Sequence, residues 1–309
     1  MGKKSVILVL CGLVFAAGCF SSIKVSGTPE EILAQAAANI EGGDVDEAIL
    51  KLNYLIDTHP DYIDAYCLRA NAYAKLQRYP AAADDYTKVI ELSSHTKCGT
   101  VGSVFYDRGY AYFLYGKPLT AAQDFLQEIR INPENAPAFA MLARSLRDEC
   151  YSAKDAGMEN WIRYCSMAIE NFDKSSQLTG SPPFYFDKAV VYNCMEYYKN
   201  ALLELNNYSR YGGKGSSDEN IAYESGLAYM GLGEYQSAVD AFSLSINADS
   251  DNYEYYYRRG LAYAALARYQ LAIDDFNASL SYRAGFADAL TARSDAAQKL
   301  DKLINPVTQ

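Results

Sequence analysis

Histidine and tryptophan are nearly absent: two and one, respectively, among 309 residues. Neither His59 nor His95 has a nucleophile or metal ligand at a recognisable spacing, and His-Glu-x-x-His, Gly-x-Ser-x-Gly and phosphate-loop patterns do not occur. Gly212-Gly213-Lys214-Gly215 lacks the Lys-Ser/Thr helix start of a phosphate loop and reads as a flexible turn. No two of the seven cysteines have the CxxC spacing of a zinc ribbon or a thioredoxin-like centre. Basic residues are outnumbered, 28 Lys and Arg against 38 Asp and Glu, for a formal charge of -10. That balance argues against nucleic acid as the main partner, because phosphate binding needs clustered cations to release counterions. The sequence therefore predicts no enzyme, no catalytic residue, no metal and no cofactor. The longest apolar run, Val6 to Ala17, is shorter than the roughly 20 residues that span a bilayer as a helix.

What the chain does have is a beat. Ala48, Ala82, Ala121, Ala201, Ala238 and Ala272 each stand four residues before a large side chain: Leu52, Tyr86, Phe125, Leu205, Phe242 and Phe276. Twelve residues before each alanine lies a small residue, Ala36, Ala70, Gly109, Ala189, Gly226 or Gly260. Three residues after the small one comes Tyr73, Tyr112, Tyr192, Tyr229 or Tyr263, with Asn39 as the exception. Two small positions on successive helices let antiparallel helices approach closely while the aromatics fill the space beside them. One such helix pair cannot bury its apolar face alone, so neighbours must stack.

This spacing resembles the tetratricopeptide repeat, a helix-turn-helix unit of about 34 residues. The resemblance implies an all-α, right-handed superhelical solenoid of seven repeats and a C-terminal capping helix. Repeats are placed near 29–62, 63–96, 102–135, 136–181, 182–215, 219–252 and 253–286, with the cap at 287–303, forming one solenoid over 29–309. Pro60 and Pro133 fall at inter-repeat turns, and longer steps fit loops at Ser93 to Thr100 and Gly212 to Asp218. The fourth repeat departs from the pattern: Ala168 and Phe172 take the Ala-x3-aromatic slots, 47 residues after Ala121. The excess lies between Arg147 and Trp161, as a lengthened helix or a protruding loop.

The resemblance also implies a concave groove that binds extended or helical peptides through positions 2, 5, 6, 9, 12 and 13 of each first helix. Here those slots include Asn71, Tyr106, Asp107, Tyr110, Phe113, Arg144, Phe186, Asp187, Asn193, Tyr223, Glu224, Tyr257 and Arg258. Tyrosine supplies a large apolar face and a hydroxyl at small entropic cost. The position 6 acids Asp107, Asp187 and Glu224 are expected to welcome Lys or Arg on a ligand. A carboxylate clamp is unsupported, since Cys67 stands where that subfamily has Lys. Position 4 aromatics (Tyr66, Phe105, Phe139, Tyr185, Tyr256) are expected to pack in the core. The acid pairs Asp84-Asp85 and Asp274-Asp275 are expected to form a solvated face.

Lys3 and Lys4 precede the apolar run, which closes on Ala16-Ala17-Gly18-Cys19. That order fits a secretory signal, 1–18. Small residues directly before cysteine resemble the bacterial lipobox, which implies cleavage before Cys19, acylation of Cys19 and a short tether over 19–28. Cleavage by the ordinary signal peptidase, releasing the chain into the periplasm, is the rival. Of the later cysteines (Cys67, Cys98, Cys150, Cys165, Cys194), an odd number cannot all pair. They are read as buried small hydrophobes with a free thiol at Cys98, a disulfide between Cys150 and Cys165 being the alternative. Together these features predict a lipid-anchored cell-envelope protein, at the outer membrane facing the periplasm, that scaffolds or adapts protein complexes. The alternative is a solute-binding accessory of a transporter with a closed pocket near Trp161.

Overall fold

A computed structural model describes residues 25–92, 103–180, 183–212 and 217–305. The signal segment expected over 1–18, Cys19, His95 and Cys98 lie outside the described residues. Those residues form fifteen α-helices, paired helix-turn-helix as in a tetratricopeptide solenoid of about seven repeats and a cap. The chain divides into two compact units between Met141 and Leu142. In the first unit α1 (Pro29–Gly42) pairs with α2 (Val45–Thr58), α3 (Ile63–Lys75) with α4 (Tyr79–Leu92), and α5 (Val104–Leu114) with α6 (Pro118–Ile131). Helix α7 (Ala136–Asp155) spans the boundary. The second unit continues with α8 (Trp161–Thr179), α9 (Tyr185–Cys194), α10 (Tyr198–Tyr211), α11 (Asp218–Leu232), α12 (Tyr235–Ala248), α13 (Tyr253–Ala265), α14 (Tyr269–Tyr282) and α15 (Ala287–Ile304). Below, helix A and helix B are the first and second helix of a repeat.

The small positions explain the pairing. Ala36, Ala70, Ala189 and all six beat alanines are fully buried, as are Leu52, Phe125, Phe242 and Phe276. In three repeats glycine takes the small position on helix A opposite a phenylalanine of helix B. A Cβ at Gly226 would stand 2.5 Å from the Phe242 ring, and one at Gly260 would stand 2.7 Å from that of Phe276. Gly109 against Phe125 follows the same logic at 3.0 Å.

Each A-to-B turn ends its first helix alike. An amide two or three residues past the helix reaches back to a carbonyl five residues earlier: Asp44 to Asn39, Arg78 to Tyr73, Lys117 to Tyr112, Met158 to Ala153, Tyr197 to Tyr192, Glu234 to Tyr229 and Arg268 to Tyr263. The residue before that amide is left-handed, glycine in four turns and Gln77, Glu196 or Ala267 in the others. This closure satisfies orphan carbonyls at the helix end.

A polar ladder joins repeats. Position 7 of helix A is Arg69, Arg108, Lys188 or Arg259, and each pairs with an acid on its own helix B: Asp85 at 2.7 Å, Asp124 at 2.7 Å, Glu204 at 3.1 Å and Asp275 at 2.7 Å. The same cation also bonds helix B of the preceding repeat: Arg69 to Asn53, Arg108 to Thr87, Lys188 to Asp173 and Arg259 to Ser243. In the cap, Arg293 bonds Asn277 in the same way. Aromatics at positions 4 and 11 flank each arginine, with Tyr66 and Tyr73 at 5.6 and 5.9 Å from the Arg69 guanidinium and Tyr256 and Tyr263 both 5.8 Å from that of Arg259. These aromatics therefore stack on cations as well as pack. Asp85 and Asp275 correct the expectation of a solvated acidic face: both are buried and bound bidentately. Burial raises their carboxyl pKa values, and the guanidinium opposite offsets part of the rise.

The extra residues of the fourth repeat lengthen helices. Helix α7 has 20 residues and α8 has 19, and the added turns of α7 lie along α9. Tyr151 donates to the Val190 carbonyl at 2.8 Å, and Lys154 donates to the Cys194 carbonyl at 2.6 Å while lying over the Trp161 ring. Cys150 and Cys165 form a disulfide between α7 and α8, with Cα atoms 5.3 Å apart, and Cys67 is disulfide-bonded too. The reading of these cysteines as unbonded hydrophobes is thus corrected, although Cys150 and Cys165 are indeed fully buried. The Cys194 thiol lies 3.0 Å from the Cys150 sulfur, and burial pushes its pKa up to about 11.

Candidate functional site

The helix A positions expected to line a groove divide into two groups. In the first unit α3, α4 and α5 enclose an open cavity of about 460 Å³ lined by Asn71, Lys75, Tyr79, Tyr86, Asp107 and Tyr110, among others. Tyr86 comes from the key aromatic position of helix B, and its hydroxyl donates to the Asn71 amide oxygen at 2.6 Å. Tyr110 is 43% exposed and stacks parallel to Tyr106 at 6.4 Å, while Tyr106 meets Phe125 edge-on at 5.6 Å. Phe113 is half-buried on the same helix. The Asp107 side chain accepts no hydrogen bond and no ion pair within the described residues. Burial, with the Glu128 carboxylate adding to it, raises its pKa to about 6.

The second unit satisfies its equivalents internally. Arg147 on α7 donates to Asp187 on α9 at 2.7 Å, with Arg144 at 3.5 Å from the same oxygen. Asn193 donates to the Glu224 carboxylate at 2.7 Å and to its backbone carbonyl at 2.9 Å. Asp187, Asn193 and Glu224 are all buried. Arg258 bonds Glu254 at 2.8 Å and lies over Tyr257. Phe186, Tyr223 and Tyr257 are partly buried and pack against the cores of their repeats. Tyr223 touches Phe242 and Tyr255, and Tyr257 touches Phe276 and Phe286. The expectation that all three position 6 acids await a basic ligand group therefore narrows to Asp107.

Sequence reasoning overlooked Tyr86 as a site residue because its slot marks core, and only its hydroxyl reaches the cavity. It also passed over the position 7 cations, although the signal is present: Arg69, Arg108, Lys188 and Arg259 each precede an acid by sixteen residues. Neither this cavity nor a second open one beside α10 and α11, lined by Leu202, Leu203, Asn206 and Tyr229 among others, involves Trp161.

Models of the tetratricopeptide repeat match residues 63–95 and 223–298. These stretches are tetratricopeptide repeats, a kind of repeat that mediates protein-protein interaction, and the paired helices around them are consistent with the same solenoid. No curated protein matches the chain significantly by sequence. Among solved structures, a tetratricopeptide repeat protein from Parabacteroides merdae superposes with a TM-score of 0.63 at 16% identity, over 87% of this chain and 98% of that one. The Cut9-Hcn1 hetero-tetramer of APC/C gives a TM-score of 0.58 at 17% identity over 86% of this chain. The chain spans about half of that second relative, matching 48% of its length. At these identities the likeness shows the fold.

Proposed function

We propose that the chain is a lipid-anchored scaffold of the bacterial cell envelope that holds a segment of a partner protein on the helix A face of its repeats. The observation that carries this reading is the open cavity bounded by α3, α4 and α5, where Tyr110 and Asn71 are exposed and Asp107 has no partner among the described residues. An extended or helical segment fits such a wall, with tyrosine rings for apolar contact and amide and carboxylate groups for orientation. Anchorage rests on the N-terminal sequence, Lys3-Lys4, the apolar run and Ala16-Ala17-Gly18-Cys19. Among the described residues no helix is long and apolar enough to cross a membrane. Acyl chains on Cys19 supply attachment at about 0.8 kcal/mol per buried methylene.

Photo-crosslinking in cells, with mass spectrometry of native protein against an Asn71→Ala/Tyr110→Ala variant, tests the binding face. Both side chains are exposed, and circular dichroism verifies that the variant stays helical, since Asn71→Ala removes the acceptor of the Tyr86 hydroxyl. Loss of a specific partner from the variant is expected, and recovery of the same partners by both proteins would remove the assignment. Palmitate labelling tests the anchor, with label absent from Cys19→Ser. Incorporation that survives in the Ser variant sinks the lipoprotein reading.

A further inference from the structure

The position 6 acids differ in one respect that their common register makes comparable. Asp187 receives guanidinium groups from the preceding helix A, and Glu224 receives an amide from the same direction. At Asp107 the preceding helix A lines the cavity with Lys75 and with Asn71, whose amide oxygen already accepts from Tyr86. Where Arg147 stands against Asp187, the first unit has the cavity instead.

The charge around that cavity is unbalanced. Glu128 on α6, 1% exposed, is the charged group that bears on Asp107, and its Oε1 accepts from Asn132 and Asn135 while its Oε2 has no partner among the described residues. Lys75 on α3 lines the cavity, but its ammonium is held 2.8 Å from the Ile40 carbonyl. The remaining titratable groups facing the space are the phenols of Tyr79 and Tyr86 on α4 and Tyr110 on α5. Among the described residues two carboxylates thus lie within electrostatic reach of each other without the cation that Asp85, Asp124, Asp187 and Asp275 all have.

Resting on the partner-binding reading above, we propose that the cavity beside Asp107 is a recognition slot for one Arg or Lys side chain of the partner segment. The cation takes the place against Asp107 that Arg147 takes against Asp187. Its stem lies along the Tyr110 ring, and the Asn71 amide and Tyr86 hydroxyl border the slot. A charge-assisted hydrogen bond in a partly desolvated site discriminates cation from neutral isostere by about tenfold or more. Protonation of Asp107 removes the attraction, so affinity for a cationic segment climbs as pH rises through about 6.

The test uses the full chain and fluorescent pentapeptide pools, randomised except for a central Arg, Lys, norleucine or Glu, followed by anisotropy. The Arg and Lys pools are expected to bind about tenfold or more tighter than norleucine, and the Glu pool weakest. Asp107→Asn abolishes the preference, whereas Asp187→Asn, whose carboxylate is already paired, keeps it. Equal binding of all pools, no binding of any pool, or a preference that survives Asp107→Asn overturns the slot. Spermidine serves as the free-amine arm, and tighter binding than the Arg pool would assign the site to a polyamine and overturn the peptide reading. In the crosslinking experiment above, a partner lost from Asn71→Ala/Tyr110→Ala but kept by Asp107→Asn would end the cation slot and leave the binding face standing.

Discussion

Two side chains show how single positions trade stability against geometry. Gly226 has no room for a methyl group, because the Phe242 ring occupies its space at 2.5 Å. Both sides are rigid helix, so Gly226→Ala costs about 1–3 kcal/mol through overpacking, despite the better helix propensity of alanine. Urea denaturation reads this, and Gly226→Ala/Phe242→Leu recovers most of the loss by restoring the Ala-Leu pairing seen at Ala189 and Leu205. Asp107 works in the opposite sense. Its folded pKa, about 6 against an ordinary 3.8, means the native chain holds this proton more tightly than the unfolded chain. Stability from this residue is therefore lost as pH rises from about 4 through about 6. Asp107→Asn is expected to raise the melting temperature at pH 8 and to leave it unchanged near pH 4. An unchanged melting temperature at pH 8 would show that the carboxylate is compensated.

At the scale of the helix and its turn, the amino-acid pattern and the structure agree where the pattern is steric. Seven helix pairs and a cap were legible because small and large residues recur at fixed distance. The slots at Ala168 and Phe172 identified helix α8 through the disturbance of the fourth repeat, and both residues are fully buried. The state of the cysteines was not legible, because pairing depends on where lengthened helices bring sulfur atoms. The site was legible only in part. Helical phase put Asn71, Asp107 and Tyr110 on one face, but it carries no information on whether an acid finds a counter-charge on the neighbouring repeat, which is what separates Asp107 from Asp187 and Glu224. The three sulfurs of Cys150, Cys165 and Cys194 lie within 4.8 Å of one another. In a Cys165→Ser chain refolded in a glutathione redox couple, Cys150 is expected to pair with Cys194 instead, tying α7 to α9. Peptide mapping without reduction detects that link, and a free Cys150 would refute the prediction. In the native protein the raised thiol pKa of Cys194 keeps its thiolate scarce at neutral pH, which slows attack on the existing bond.

For the molecule as a whole, repetition makes the ends the vulnerable places. Helix α15 covers α14 with Ala289 and Ala296, both buried, and turns Asp288, Arg293, Asp295 and Lys299 away from full burial. Truncation after residue 286 uncovers the face beside Phe276. It is expected to raise binding of an apolar dye and to promote aggregation, as loss of a polar cap does in stacked repeats. A truncated chain as soluble and dye-inert as the parent would contradict this. The ladder of position 7 cations has a further meaning here. Each link is a hook on helix A caught in an eye on the helix B before it, so stacking has a direction, and a head-to-tail contact of this kind would extend without limit if both ends were reactive. Among the described residues the hook is absent at Gln35, Leu142 and Ser225, so the ladder runs in separate stretches and not as one continuous rail. In a polymer chemist's terms the link is head-to-tail, and it gives every repeat pair that carries it the same sense along the chain.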